Sequence, residues 1–528
     1  MNTQATPTRV NAEEPGRVRE AAPRDATHAS EDGARTWAVA LAACALAVAV
    51  QTGFSPLSDP DLPNHLALGE WIVAHRAVPF VEPFAWTRAG APFYAYSWLM
   101  QIVMFASLRL AGPLGLHVLA ALAGGAVVLA GAAAARALGA KPAASVLFGV
   151  ASALVAIQST PFVRPQMIMH IVVPLAWVCV ARIRRDERVH PAALVGLVAV
   201  SSVAANVHIT FPVIAAPLVL LVLEPNFLRD RRLWAAVGAV LLGWLLSPYA
   251  LVWADVFRLN FEPNVMTKYP APTGELTPGF IIAPLYGVVL AALPLLALPQ
   301  LRGSRERAWY GLMWLAGLLV FARMFKGLGP FWWCATPLAI AALGRLPRAS
   351  SDGIRRAYAT LLVAFVAALA VENVKLYGVL SKYEGTAAQR TLPAIKGYAA
   401  EPAARWLETH LRAGARGRIL TAFNYGSYLG WRLPTLSMSV DGRTIFPDSA
   451  ALPDANAEHG VAYLGPWKSA DVAIVPMTYP VVAALDSSAE WMRIGVASPA
   501  EWAPKAVRAG LWVRRGFATR WLAMPPWK

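Results

Sequence analysis

TWAVALAACALAVAVQTGFSPLSDPDLPNHLALGEW, residues 36–71, decides how the rest of the chain is read. Residues 37–53 carry no charged side chain, and a run of this length reaches the lower limit for a helix crossing the roughly 30 Å hydrocarbon core of a bilayer. Immediately afterwards comes Ser58-Asp59-Pro60-Asp61-Leu62-Pro63-Asn64-His65, with two carboxylates two positions apart. An apolar anchor thus delivers an acidic loop to a membrane surface.

Composition supports a bilayer as the solvent. The 528 residues are 57% hydrophobic, with a mean hydropathy of +0.47, more apolar surface than a soluble fold can bury. Twenty Trp and 14 Tyr suit aromatic belts at the two interfaces. The net charge of +16 fits Lys and Arg held in short cytoplasmic loops and excludes nothing but a simple nucleic-acid reading, since anionic lipid or a lipid phosphate satisfies it equally. Cys44, Cys179 and Cys334 all fall in apolar segments, so neither a disulfide framework nor a thiolate metal site is expected. Residues 1–36, polar and of mixed charge, read as a disordered cytoplasmic tail.

Apolar segments at 37–53, 113–137, 143–160, 167–181, 191–208, 211–223, 233–248, 280–298, 308–322, 330–344 and 356–372 predict a mainly α polytopic bundle of about 11 spans over 37–375. Basic clusters fix its sense: Arg182, Arg184, Arg185 and Arg188; Arg229, Arg231 and Arg232; Arg302, Arg305 and Arg307; Arg345, Arg348, Arg355 and Arg356. They recur two spans apart, the pattern of loops that all face the cytoplasm. Segment 97–110, about 14 residues, is short for a span and would put Arg136 and Lys141 outside. It is read as an interfacial or re-entrant helix within a first outer loop, 54–112.

With that threading, five polar sites share the outer side: Asp59 and Asp61 with His65; Arg164 with Gln166; Asn206 with His208; Tyr249 in Ser247-Pro248-Tyr249; and Arg323 with Lys326. A carboxylate at the edge of a low-dielectric region suits a general base that deprotonates a hydroxyl. Two Asp and one His could also bind a divalent cation, although a third firm ligand is missing. The plain structural alternative is that both aspartates cap the following helix. Arg164, between two spans, either snorkels to the interface or grips a phosphate with its forked donors. Arg323 and Lys326, at helical spacing where positive charge is scarce, suit a lipid phosphate. No glycine-rich phosphate loop, zinc spacing or nucleophile elbow occurs, which argues against an NTPase or a hydrolase.

Past the last span, 376–528 reads as an extracytoplasmic α/β domain: a helix at 401–411, strands at 418–423, 436–440, 471–475 and 511–513, and a helix at 479–485. The segments 424–431 and Asp441-Gly442-Arg443 read as polar loops after strands.

These residues, taken as a set, have a likeness. Asp59-Pro60-Asp61, His65, Gly69, Pro79, Pro83-Phe84, Thr87, Gly90 and Ser97-Trp98-Leu99 resemble the first-loop pattern of a bacterial group of GT-C-type membrane glycosyltransferases, the mannosyltransferase and aminoarabinose-transferase-like superfamily. Arg164-Pro165-Gln166, Asn206-Val207-His208, Ser247-Pro248-Tyr249, Phe423-Asn424, Gly426, Tyr428-Leu429, Trp431 and Asp441-Gly442-Arg443 follow in the same order, so that the likeness covers most of 37–515. The resemblance implies transfer of a sugar from a polyprenyl phosphate carrier to an acceptor at the outer face of the bacterial cytoplasmic membrane. Asp59 or Asp61 would serve as base or hold a metal, with Arg164, Arg323 and Lys326 on the departing phosphate. This chain departs from the group in having Leu62-Pro63-Asn64 where two aromatic residues usually precede the histidine. A flippase for lipid-linked sugars would use the same outer cations without needing a base, and a non-catalytic cell-envelope scaffold would act through the outer C-terminal domain.

Overall fold

The computed structural model describes residues 24–261, 297–343, 400–443, 466–497 and 509–523, with 288 and 292, apart from 56, 58, 60, 160–162, 187–188, 302, 325–326 and 442. The expected spans at 280–298 and 356–372 and the domain boundary near 376 lie largely or wholly outside these residues, as does Lys326.

The architecture is mostly helical with one small sheet. α1 (Arg24–Gly53) lies against α4 (Pro113–Ala137), and α4 against α5 (Pro142–Ser159). These contacts are close because they are lined by small residues: a Cβ at Gly149 of α5 would come within 2.5 Å of the Val128 carbonyl oxygen of α4. α6 (Met169–Arg185) packs on α4 and on α7 (Pro191–Val207). A 3₁₀ turn, Phe211–Leu218, runs into α8 (Val219–Val222), followed by α9 (Arg231–Leu245) and α10 (Trp253–Phe261). α11 (Ser304–Arg323) and α12 (Leu328–Leu343) pack together, and α12 closes on α5.

Four helices among the described residues are long and apolar enough to cross a membrane: Arg35–Gly53, Pro113–Ala137, Pro142–Ser159 and Pro165–Arg185. The pair Arg231–Leu245 and Ala250–Phe261 passes the same test together but is bent by 97°. Pro191–Val207, Phe211–Val222 and Leu328–Ala342 are apolar but shorter, so the described residues support fewer full-length spans than the sequence suggested. At its other end α1 extends back to Arg24, into the stretch expected to be disordered, since Ala, Arg and Glu there continue a helix already nucleated by the apolar run.

Two ends of the bundle are chemically distinct. At one, Arg184 Nε donates to Glu224 Oε1 at 2.7 Å, Arg232 Nη1 to the Arg184 carbonyl at 2.9 Å, and Arg305 Nη1 to the Glu224 carbonyl at 3.1 Å. Three of the basic clusters therefore meet, as their spacing predicted. At the other end, Thr52 Oγ1 donates to the Ala120 carbonyl at 2.9 Å, which sets the end of α1 beside the beginning of α4. The 54–112 segment must then leave and return on one side. Its two helices, α2 (Leu62–His75) and α3 (Trp98–Ala111), pack on each other, and at Gly69 a Cβ would come within 2.2 Å of the Gln101 carbonyl oxygen.

The chain ends in a five-stranded sheet of order β2-β1-β3-β5-β4, made of β1 (Gly417–Thr421), β2 (Leu436–Met438), β3 (Val472–Pro476), β4 (Trp491–Ala497) and β5 (Ala509–Arg514). β2, β1 and β3 are parallel, while β5 and β4 are antiparallel to their neighbours. Two expectations change here. Residues 424–431, read as a loop, lie in a helix (Phe423–Arg432) that packs on α2, and β4 was not anticipated. The aromatic and leucine side chains of 423–432 recur at helical spacing, a signal overridden by the glycines at 426 and 430.

The 54–112 loop joins this sheet. Residues 80–93 form a hairpin, with Glu82 N donating to the Ala91 carbonyl and Phe93 N to the Phe80 carbonyl. Ala85 bridges Met438 in parallel, Met438 N donates to the Phe84 carbonyl at 3.1 Å, and Trp86 Nε1 donates to the Ile419 carbonyl at 3.2 Å. The hairpin thereby covers the β2 edge, whose backbone groups would otherwise be unpaired.

Candidate functional site

Asp59 and Asp61 precede α2, and Arg164 sits in the short turn between α5 and the 3₁₀ segment Pro165–Ile168. They meet. Arg164 Nε donates to Asp59 Oδ2 at 2.8 Å and Nη2 to Asp59 Oδ1 at 2.8 Å, a bidentate pair, and Nη2 also reaches Asp61 Oδ2 at 3.0 Å. Asp59 and Arg164 are buried, while the Asp61 side chain is 33% exposed. One guanidinium thus holds two carboxylates, one buried and one partly exposed.

The capping alternative fits neither carboxylate, although Asp59 ties the turn before α2. Asp59 Oδ1 accepts from Asp61 N at 3.1 Å, whereas Asp61 stands at the N-cap position without a capping hydrogen bond from its carboxylate.

Around this triad lie groups drawn from four segments. His65, on the first turn of α2, pairs through Nδ1 with the Gln101 side-chain amide at 3.2 Å. Burial pushes its pKa down to about 4, with Asp59 opposing and Arg164 reinforcing that shift. Tyr96 faces the same charges: burial and then Asp61 raise its phenol to about 12, against the pull of Arg164. Its ring meets His208 edge-on, with centroids 6.3 Å apart. His208 Nδ1 in turn pairs with Thr210 Oγ1 at 2.8 Å. Gln166 is buried in the 3₁₀ turn that follows Arg164.

Two other expected ligand-binding residues are hydrogen-bonded within the protein. Asn206 Oδ1 accepts from Trp98 Nε1 at 2.7 Å, and its Nδ2 donates to the Ser202 carbonyl at 2.8 Å. Fully buried Tyr249 donates to the Pro79 carbonyl at 2.9 Å and accepts from Ala95 N at 3.0 Å, and burial raises its pKa so that the hydroxyl stays a donor. In both, each polar atom serves the protein, which clamps the loop around Tyr96 from two sides. Arg164, expected to grip a phosphate, instead spends its fork on the aspartates. Arg323 ends α11 exposed, and among the described residues it pairs with no carboxylate.

Sequence reasoning missed Tyr96, Gln101 and Glu82, which have no distinguishing local pattern. Glu82 belongs to a second buried cluster. Its Oε1 accepts from Arg443 Nη2 at 2.8 Å and from Phe84 N and Ala85 N, and Arg443 also pairs with Asp441 at 2.6 Å and lies 4.6 Å over the Phe93 ring. Burial raises the Asp441 pKa, with Arg443 opposing; burial also works against the charge on Arg443, which Asp441 and Glu82 together more than restore.

A resident metal finds no fitted site here. No group of three or more His, Cys, Asp or Glu among the described residues could hold one, and Arg164 already occupies the position a cation would take between Asp59 and Asp61.

No family model matches the sequence, and no curated protein does. Solved structures do match in fold. The arabinofuranosyltransferase AftD from Mycobacteria superposes with a TM-score of 0.55 at 17% identity, over 91% of this chain and 40% of that one. A mutant form of AftD gives 0.55 and 17%, over 91% and 41%. ArnT from Cupriavidus metallidurans in the apo state aligns with a TM-score of 0.47 at 15% identity, over 92% of this chain and 99% of that one, and at that score adds nothing to the fold assignment. The fold expected from the sequence likeness is therefore one that this chain shares with AftD. The chain spans about two-fifths of the AftD chain it matches.

Proposed function

We propose that this protein is an inverting glycosyltransferase that moves a sugar from a polyprenyl-phosphate carrier to an acceptor hydroxyl at the outer face of the bacterial cytoplasmic membrane, with the N-terminus in the cytoplasm and the C-terminal sheet outside. The observation that carries it is the division of labour within Asp59–Arg164–Asp61. Asp59, buried and doubly bonded, orients Arg164; Asp61, whose side chain is 33% exposed, is the carboxylate a substrate can reach.

In this reading Asp61 accepts the proton of the acceptor hydroxyl as its oxygen bonds to the anomeric carbon and the carbon–oxygen bond to the carrier phosphate breaks. The electron pair leaves with that phosphate, the attack inverts the anomeric centre, and Arg323 and Lys326 supply cations for the departing charge. His65, neutral near pH 7, presents a ring without adding positive charge beside the base.

The test is Asp61→Asn assayed for transfer from a polyprenyl-phosphate sugar by the purified protein. Loss of transfer with an unchanged melting temperature is the expected outcome, and retained transfer sinks the assignment.

A further inference from the structure

Between the end of α2, the start of α3 and the end of α9 lies an open groove of about 640 Å³, within the range of about 300–1,000 Å³ typical of small-molecule sites. Ile72, Trp98, Ile102, Leu245 and Leu246 make it apolar, and Arg76 is its one charged lining residue. Leu245 and Leu246 are exposed at the end of an apolar helix, where a bilayer would meet them. Arg76 is also exposed, and among the described residues it pairs with no carboxylate.

Its backbone adds a separate observation. Arg76 is the C-cap of α2 with φ 52° and ψ 32°, and only it and Asn226 among the described non-glycine residues have positive φ. Glycine is the favoured residue at such a helix end, because a Cβ is strained there. An arginine held in that conformation, at the rim of an apolar groove, is kept against the preference of the backbone.

We propose that this groove seats the hydrocarbon anchor of a lipid-linked acceptor, with Arg76 binding the phosphate of that lipid.

The choice of acceptor over donor follows from distance. α2 has 14 residues, so about 21 Å of helix separates Asp61 from Arg76. A donor carries its phosphate directly on the reacting carbon, which must lie beside the base, and that phosphate cannot also be at Arg76. An acceptor anchored at Arg76 can extend a glycan head group along α2 to the carboxylates. The word acceptor rests on the transferase reading above; the lipid site rests on the groove alone.

The experiment measures binding by detergent-solubilised full-length protein of dioleoyl phosphatidic acid, of dioleoyl phosphatidylglycerol and of the uncharged dioleoylglycerol, alongside melting temperature. Expected are binding of the phosphate-bearing lipids over dioleoylglycerol, affinity about tenfold or more weaker in Arg76→Gly, and retention in Arg76→Lys. Arg76→Gly without lipid melts at or above the wild-type temperature, since glycine suits the cap. Asp61→Asn binds as wild type. The proposal is overturned if Arg76→Gly binds undiminished, if it melts lower, or if dioleoylglycerol binds as well as the phosphates. Loss of binding in Asp61→Asn also overturns it, by placing the lipid phosphate at the carboxylates. A protein that binds through Arg76 yet transfers no sugar refutes the transferase reading and upholds the groove.

Discussion

Glu82 Oε1 and Arg443 Nη2 lie 2.8 Å apart although 361 positions separate them in sequence. The Glu82 side chain has no exposed surface, and the pair locks the hairpin of the first outer loop to the segment that follows β2. The loop that carries Asp59 and Asp61 is therefore braced from the far end of the chain. Arg443→Ala leaves two buried carboxylates without their counter-ion, a loss of about 3–5 kcal/mol for breaking such a pair. Hydrogen exchange over residues 80–93 should accelerate in this variant. Removing everything after residue 400 should likewise disturb the acidic site.

The two aspartates separate experimentally. Asp61→Asn should lower turnover by about 10²–10⁴, the range for a lost general base, and leave the melting temperature within a degree or two of wild type. Asp59→Asn weakens the bidentate hold on Arg164 and should lower both activity and melting temperature. Equal behaviour of the two variants in both assays would contradict the assigned division of roles.

Arg164→Ala removes the counter-ion of buried Asp59, and should cost about 3–5 kcal/mol in chemical or thermal unfolding. Arg164→Lys keeps the charge but not the fork, so it should recover only part of that stability and little of the activity.

His65 sets a pH dependence. Its pKa falls from 6.5 in the unfolded chain to about 4 in the fold, so the folded state favours the neutral ring. The stabilisation is complete above pH 6.5 and is lost progressively as pH falls toward 4, where the unfolded chain binds the extra proton. Melting temperatures measured across that window should decline with acidity, and less steeply in His65→Gln.

Periodicity and charge carried much of this in the sequence. The apolar run before Asp59 marked an anchor because a helix in lipid must be apolar along its length, and the Arg clusters at 182–188, 229–232 and 302–307 marked one end because charge stays out of hydrocarbon. The acidic loop and Arg164 were legible as unusual residues for the same reason. What each binds was not. Asp59, Asp61 and Arg164 belong to separate segments, and nothing local says that the arginine turns to the aspartates instead of a phosphate.

Tertiary structure decided the rest. It made Tyr249 and Asn206 struts, since hydrogen bonds to Pro79, Ala95 and Trp98 depend on how distant helices pack. It brought Glu82 to Arg443, and it gave Arg76 a groove to face. By itself the sequence determined which segments favour lipid, which end bears the basic loops and where the rare carboxylates beside an apolar anchor stand, because transfer free energy acts residue by residue. Which charges neutralise one another, and which remain for a substrate, was settled only by folding, because an ion pair is a property of distance between segments that the chain order does not contain.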